Sequence, residues 1–165
     1  MKSDAKSQMN KILGTYDDRL AADERKIMAK RAADAAFPER FATLRADTLR
    51  PAIQEFVDML TGHGHEATAR EQEESSSTTG GVSFAAISLR MNPKPFAFKS
   101  ADTNRSFIEI TFSANRNERK VTVSSTNTIV NSNGSLGKRG EYEIDAMTAD
   151  VVAEHVLRSL EEALQ

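Results

Sequence analysis

The sequence predicts an α+β fold: two N-terminal helices, the first of them long, a four- or five-stranded antiparallel meander sheet, and a C-terminal helix packed on the sheet. Three observations predict this order. The chain opens with a stretch rich in Ala, Lys, Arg, Asp and Glu, which is typical of a long helix. After residue 65 the hydrophobic period changes from helical to alternating. After residue 147 the helical period returns.

The first helix is predicted over residues 3–36, which contain no proline and a single glycine, Gly14. Its large apolar residues recur at alternating steps of four and three if Asp23 fills one position: Met9, Leu13, Tyr16, Leu20 and Ile27. Such a helix would be roughly 50 Å long, which exceeds the width of a small domain. We therefore assign residues 1–37 to a projecting N-terminal helix and residues 38–165 to a core domain.

A second helix is predicted over residues 38–61. The residue before a proline avoids the α region, whereas proline itself suits the first turn of a helix. Phe37-Pro38 therefore predicts a break between the two helices. Pro51 has no backbone N–H to donate, so we expect a kink or a split there. Gly62 is typical of a helix end.

Four strands, and a weaker fifth that could form at one edge, are predicted from alternating apolar residues that lie between turn signals. They cover residues 65–73, 82–91, 107–113, 120–130 and 140–144. The first is a weak, polar edge strand, and the third is the clearest, since Ile108, Ile110 and Phe112 alternate with polar residues. Short connections, among them a turn at Asn133-Gly134, favour an antiparallel meander. A Ser-, Thr- and Gly-rich stretch at about residues 74–81 predicts a flexible loop.

The last helix is predicted from Thr148, a suitable N-cap, to about Leu164. Apolar residues recur in it at every fourth position, which predicts one face that covers the sheet: Val152, Val156, Leu160 and Leu164. His155 is expected on the polar flank of this helix.

Composition excludes several classes of chemistry. The 165 residues include no cysteine, which removes disulfide scaffolds, thiolate metal sites and cysteine nucleophiles. The 22 Lys and Arg against 24 Asp and Glu give a formal charge of -2, which argues against a strongly electrostatic nucleic-acid binder. No segment approaches the twenty apolar residues that span a bilayer, and the N-terminus has no apolar run of the kind that a secretory signal needs. We therefore expect a cytoplasmic protein without a membrane partner.

Two sets of residues suggest chemistry without predicting an active site. His63 and His65 lie two residues apart and could face a metal together, but only His155 remains as a further imidazole, so exposed loop histidines are the simpler interpretation. No Gly-x-Ser-x-Gly elbow and no Gly-Lys-Ser/Thr phosphate loop is present. We predict no catalytic residue and no cofactor. A ligand pocket between the sheet and its helices stays open as an alternative.

Basic residues gather near two predicted turns of the sheet and could form one phosphate-binding patch: Arg116, Arg119, Lys120, Lys138 and Arg139. The aromatic platforms that bind single-stranded nucleic acid are not interleaved with them. This patch supports an alternative function, an accessory nucleic-acid-binding module.

The preferred interpretation is a non-enzymatic protein-interaction or adaptor protein. The first helix is long and has a thin apolar stripe, which is too little to form the core of the protein by itself. We expect the chain to self-associate, or to dock on a larger protein partner, through this helix.

Overall fold

The computed structural model describes residues 3–94, 106–129 and 137–165. The chain divides into two compact units, Met1–Ala36 and Phe37–Gln165. The α+β architecture is confirmed. In chain order the elements are α1 Ser3–Leu44, a π-helical turn Arg45–Leu49, α2 Arg50–Gly62, β1 Glu66–Gln72, β2 Ser75–Ser76, β3 Val82–Ser83, β4 Ala86–Asn92, β5 Ile108–Asn115, β6 Lys120–Asn127, β7 Gly137–Glu143, a 3₁₀ turn Ile144–Ala146, and α3 Ala149–Leu164.

Helix α1 continues through Pro38, so the predicted break at Phe37-Pro38 is wrong. Proline in a helix interior removes one hydrogen bond and crowds the preceding turn. Phe37 and Phe41, four residues apart, are both almost fully buried, at 2 % and 1 % exposed. Side chains four apart share a helix face, so keeping the helix intact directs both rings into the core. Burial of two aromatic side chains outweighs the local preference of the proline.

The predicted irregularity near Pro51 takes the form of the π-helical turn Arg45–Leu49. Pro51 follows it at the start of α2 and, having no backbone N–H, donates no hydrogen bond to the preceding turn. The first residue of the π turn, Arg45, and its last residue, Leu49, are both buried. Leu49 is fully buried, and Arg45 is buried while its guanidinium reaches carboxylates of the β1 end.

The main sheet has five antiparallel strands in the order β1-β4-β5-β6-β7. The short strands β2 and β3 pair with each other, Ser75 opposite Ser83; β2 lies in the predicted flexible loop and β3 follows directly after it. The predicted strand 82–91 is accordingly divided between β3 and β4. A register shift between Val123 and Ser124 interrupts the pairing of β6 with β7. The predicted turn at Asn133-Gly134 lies outside the described residues.

One face of the sheet forms the core. Helix α2 packs on β1 and β4, and α3 packs on β5 and β6. The strand residues that are essentially fully buried recur at every second position, as the alternation in the third strand predicted: Ile87, Leu89, Met91, Ile108, Ile110, Phe112, Val121 and Val123. The residues between them carry polar side chains, so the opposite face of the sheet is polar.

Helix α3 begins after Thr148, whose hydroxyl accepts a hydrogen bond from the Val151 N–H at 3.4 Å. Two predictions for this helix are wrong: His155 is buried instead of lying on a polar flank, and Leu164 is 49 % exposed. A four-residue repeat drifts by about 40° per step around a helix of 3.6 residues per turn. The buried stripe therefore moves away from the predicted line and takes in Ala163 instead of Leu164.

Candidate interaction surface

The apolar residues predicted on the first helix are all exposed. Their exposed fractions are Met9 53 %, Leu13 51 %, Tyr16 57 %, Leu20 44 % and Ile27 52 %. We call these five residues the apolar seam. Because α1 is helical from Ser3 onward, the alternating steps of four and three place them along one line of its surface.

The first unit buries almost none of its side chains. Of residues 3–36, only Ala22, Ala33 and Asp34 are less than largely exposed. An isolated helix in water is marginally stable, because most helical stability in proteins comes from packing an apolar face. The apolar seam is therefore a surface whose burial would stabilise the helix that carries it.

The structure separates the predicted basic patch into two groups. Arg116 and Arg119 lie in the turn between β5 and β6, and Lys120 begins β6. Lys138 on β7 pairs with Ser124 of β6, which lies four residues after Lys120 in the same strand. The five cations are carried by two parts of the sheet, the β5–β6 turn with the start of β6, and strand β7.

Carboxylates neutralise much of this basic charge. Glu74 Oε1 lies 3.1 Å from Arg116 Nη1, and Glu141 Oε1 lies 2.9 Å from Lys138 Nζ. The Glu141 carboxylate raises the pKa of Lys138, chiefly through this hydrogen bond. Phosphate groups would have to compete with these carboxylates for the same donors.

The partly buried Arg139 binds other side chains of the second unit. Its guanidinium donates to both carboxylate oxygens of Glu162 on α3, and its Nε donates to Ser125 Oγ at 2.7 Å. The bond from Arg139 is the main reason that the pKa of Glu162 is lowered. Arg139 thus ties β7 to β6 and to α3.

His63 and His65, separated by Gly64, lie in the connection between α2 and β1. His65 Nδ1 accepts a hydrogen bond from the Lys94 N–H at 3.1 Å, and Lys94 Nζ donates to the His63 carbonyl at 3.0 Å. Burial, with a contribution from the Lys94 charge, lowers the pKa of His65. Across residues 3–94, 106–129 and 137–165, no group of three or more His, Asp or Glu side chains is placed to hold a metal ion.

Sequence reasoning missed a polar pair under α3. Tyr142 Oη and His155 Nε2 share a hydrogen bond of 2.6 Å, and the two rings meet edge to face. Burial lowers the pKa of His155, which favours the neutral imidazole. The spacing of Tyr142 and His155 has no periodic signature, because the pair joins a strand to a helix.

A cavity of about 310 Å³ lies at the polar face, bounded by parts of β1, β4 and β5. Two of its lining side chains bind each other, because Ser88 Oγ donates to Glu109 Oε1 at 2.8 Å. Arg90, which is outside the lining, has its Nη1 3.7 Å from Glu109 Oε2. Arg90 also stacks over the Phe107 ring at 3.7 Å. The predicted alternative was a pocket between the sheet and its helices, whereas this cavity lies on the polar face.

Comparison of the chain with models of protein families, with curated proteins and with solved structures gives no match. In the described part of the chain, no helix is both long enough and apolar enough to cross a membrane. The interpretation of the apolar seam therefore depends on its own geometry.

Proposed function

We propose that this chain is a non-enzymatic protein-interaction protein that associates with another protein chain through the apolar seam. One observation carries the proposal. Five large apolar side chains lie in a line on one helix, and each is about half exposed. Contiguous exposed apolar surface of this kind is typical of a protein-protein contact.

Self-association is the form of the proposal that can be tested directly. Leu13→Glu places a charge in the middle of the apolar seam, where association would bury it without a partner. We expect the full chain to show a mass above that of a monomer in sedimentation experiments, and the Leu13→Glu variant to be monomeric. Met28→Glu is the matched control, because Met28 is similarly exposed, at 65 %, and lies off the apolar seam.

Two outcomes separate the forms of the proposal. A full chain that associates with itself as strongly with Leu13→Glu as without it would contradict association through the apolar seam. A chain that is monomeric at every concentration would leave docking on a different protein as the remaining form. In that case, protein captured by the unaltered chain but lost from the Leu13→Glu variant, and retained by Met28→Glu, would support it.

The proposal does not extend to nucleic-acid binding. Arg116, Lys138 and Arg139 all pair with carboxylates, and the Ser124 that Lys138 pairs with lies four residues after Lys120. No observation favours the alternative over the apolar seam.

A further inference from the structure

Two opposite charges lie on the line of the apolar seam, at equal distances from the middle of its first four residues. Continuing its steps of three and four toward the N-terminus from Met9 leads to Lys6, and continuing from Leu20 leads to Asp23. Both charged residues are exposed and helical. From Lys6 to Asp23 the line therefore has a cation, four apolar side chains and an anion, with its midpoint between Gly14 and Thr15, and Ile27 follows beyond Asp23.

We infer that the apolar seam binds a second copy of this chain in antiparallel orientation, with Lys6 of each helix opposite Asp23 of the other. The inference rests on the proposed function and names its partner. An antiparallel pair centred between residues 14 and 15 brings together positions whose numbers add to 29. This arrangement is a two-fold symmetric contact, in which the same surface of each copy is used.

The register satisfies every layer between Lys6 and Asp23, whereas Ile27, the fifth residue of the apolar seam, lies beyond these layers. Its layers are Lys6 with Asp23, Met9 with Leu20, Leu13 with Tyr16, and the three symmetric equivalents. The span from Lys6 to Asp23 is about 26 Å along the helix axis. Each Asp23 carboxylate, which interrupts the apolar repeat in one helix, meets an ammonium group of the partner subunit instead of an apolar side chain. Opposite charges at the two ends also set the register, as polar residues within a coiled-coil seam do.

A parallel pair in register would place like charges together at both ends. Lys6 would oppose Lys6 of the partner subunit, and Asp23 would oppose Asp23 of the partner subunit. A parallel arrangement would gain flanking pairs between Arg19 and Glu24, but exposed pairs of this kind contribute little. Like charges facing each other across a closely packed seam cost more than such pairs return.

An antiparallel register shifted by one heptad is also disfavoured. It places Asp23 opposite Leu13 of the partner subunit, which buries a carboxylate against an apolar side chain. It also places Lys6 opposite Lys30 of the partner subunit. Only the register centred between residues 14 and 15 pairs both end charges with opposite charges.

A charge-exchange experiment tests the pairing. Lys6→Glu and Asp23→Lys should each weaken dimerisation of the full chain by roughly 2- to 30-fold, because each creates two like-charge pairs. The double variant K6E/D23K should restore the affinity of the unaltered chain. Lys11→Glu, on the opposite side of the helix, is the matched control and should leave the dissociation constant unchanged. Single variants without effect, or a double variant that is not restored, would overturn the inference.

Disulfide trapping tests the orientation independently, because the chain has no cysteine of its own. In an oxidised mixture of Met9→Cys and Leu20→Cys chains of different mass, we expect disulfides only between the two variants. Identical positions would be separated by about 16 Å along the axis, too far for a bridge. Asp18→Cys, on the opposite side of the helix, should form none.

The outcomes distinguish this inference from the proposed function. Disulfides between two Leu20→Cys chains would overturn the antiparallel orientation while leaving self-association intact. A chain that remains monomeric at every concentration would overturn both the orientation and self-association.

Discussion

The two units of the chain use large apolar residues in opposite ways. In Phe37–Gln165, residues such as Ile53, Leu89 and Phe112 are entirely buried. In Met1–Ala36, every large apolar side chain in the described residues is at least 44 % exposed. The second unit can account for the stability of a fold by burial alone, whereas the first unit has no core of its own. Apolar residues in the first unit are therefore best explained by contact with another chain.

The largest predicted contrast is the removal of one apolar side chain from each unit. Phe112→Ala should lower the free energy of unfolding by about 3–5 kcal/mol, because it leaves a cavity between the sheet and its helices. Met28→Ala should change it by about 0.5 kcal/mol or less, since Met28 is 65 % exposed. Urea denaturation measures both. Similar losses for the two variants would show that the first unit is buried in solution.

A substitution at Gly140 in the second unit should have a smaller effect on the free energy of unfolding. A Cβ at Gly140 would lie 2.9 Å from Tyr142 Cε2 and 3.4 Å from His155 Cε1. Gly140→Ala should therefore displace the Tyr142 ring from its hydrogen bond and lower the free energy of unfolding by about 1–3 kcal/mol.

The same variant should alter the titration of His155. Burial lowers the pKa of His155 below its ordinary value of 6.5. The stability linked to the neutral imidazole is thus present above that value and is lost as the pH falls through the lowered pKa. In Gly140→Ala, NMR titration should give a His155 pKa closer to 6.5. An unchanged pKa would show that the ring stays packed.

The ion pair between Arg139 and Glu162 should contribute about 1 kcal/mol near neutral pH. Because Arg139 lowers the pKa of Glu162 below 4.5, this stability is present above pH 4.5 and is lost as the pH falls through the lowered pKa. Glu162→Gln should therefore destabilise the second unit at neutral pH and make no difference in strong acid. Glu161→Gln, which changes an exposed neighbour, is the control, and an equal effect of both variants would contradict the prediction.

The last predicted effect has the opposite sign and lies in the first unit. A Cβ at Gly14 meets nothing within 4 Å. Gly14→Ala should stabilise α1 by about 0.8–1 kcal/mol, because alanine loses less backbone freedom in a helix. Circular dichroism at increasing temperature measures the change in helix content. A loss of helix would indicate that another chain approaches closely at Gly14.

Regular alternation and spacing predicted most of the fold and the apolar seam. Ile108, Ile110 and Phe112 could be recognised as the inward face of a strand because a period of two has only one explanation. The prediction of a helix break at Pro38 was wrong because the local backbone preference of a proline contains no information about the burial of Phe37 and Phe41. The pair of Arg139 with Glu162 was also beyond sequence reasoning, since it depends on the irregular pairing of β6 with β7.

The edge strands of the five-stranded sheet restrict how copies of this protein can meet. A flat, apolar edge would invite uncontrolled strand pairing between chains and lead to aggregation. Strand β1 carries Glu66, Arg70 and Glu71, and β7 combines charged residues with a register shift against β6. Both features discourage growth of the sheet from one molecule into the next. A protein whose sheet edges are protected in this way can have a helix that binds other chains and still form assemblies of limited size.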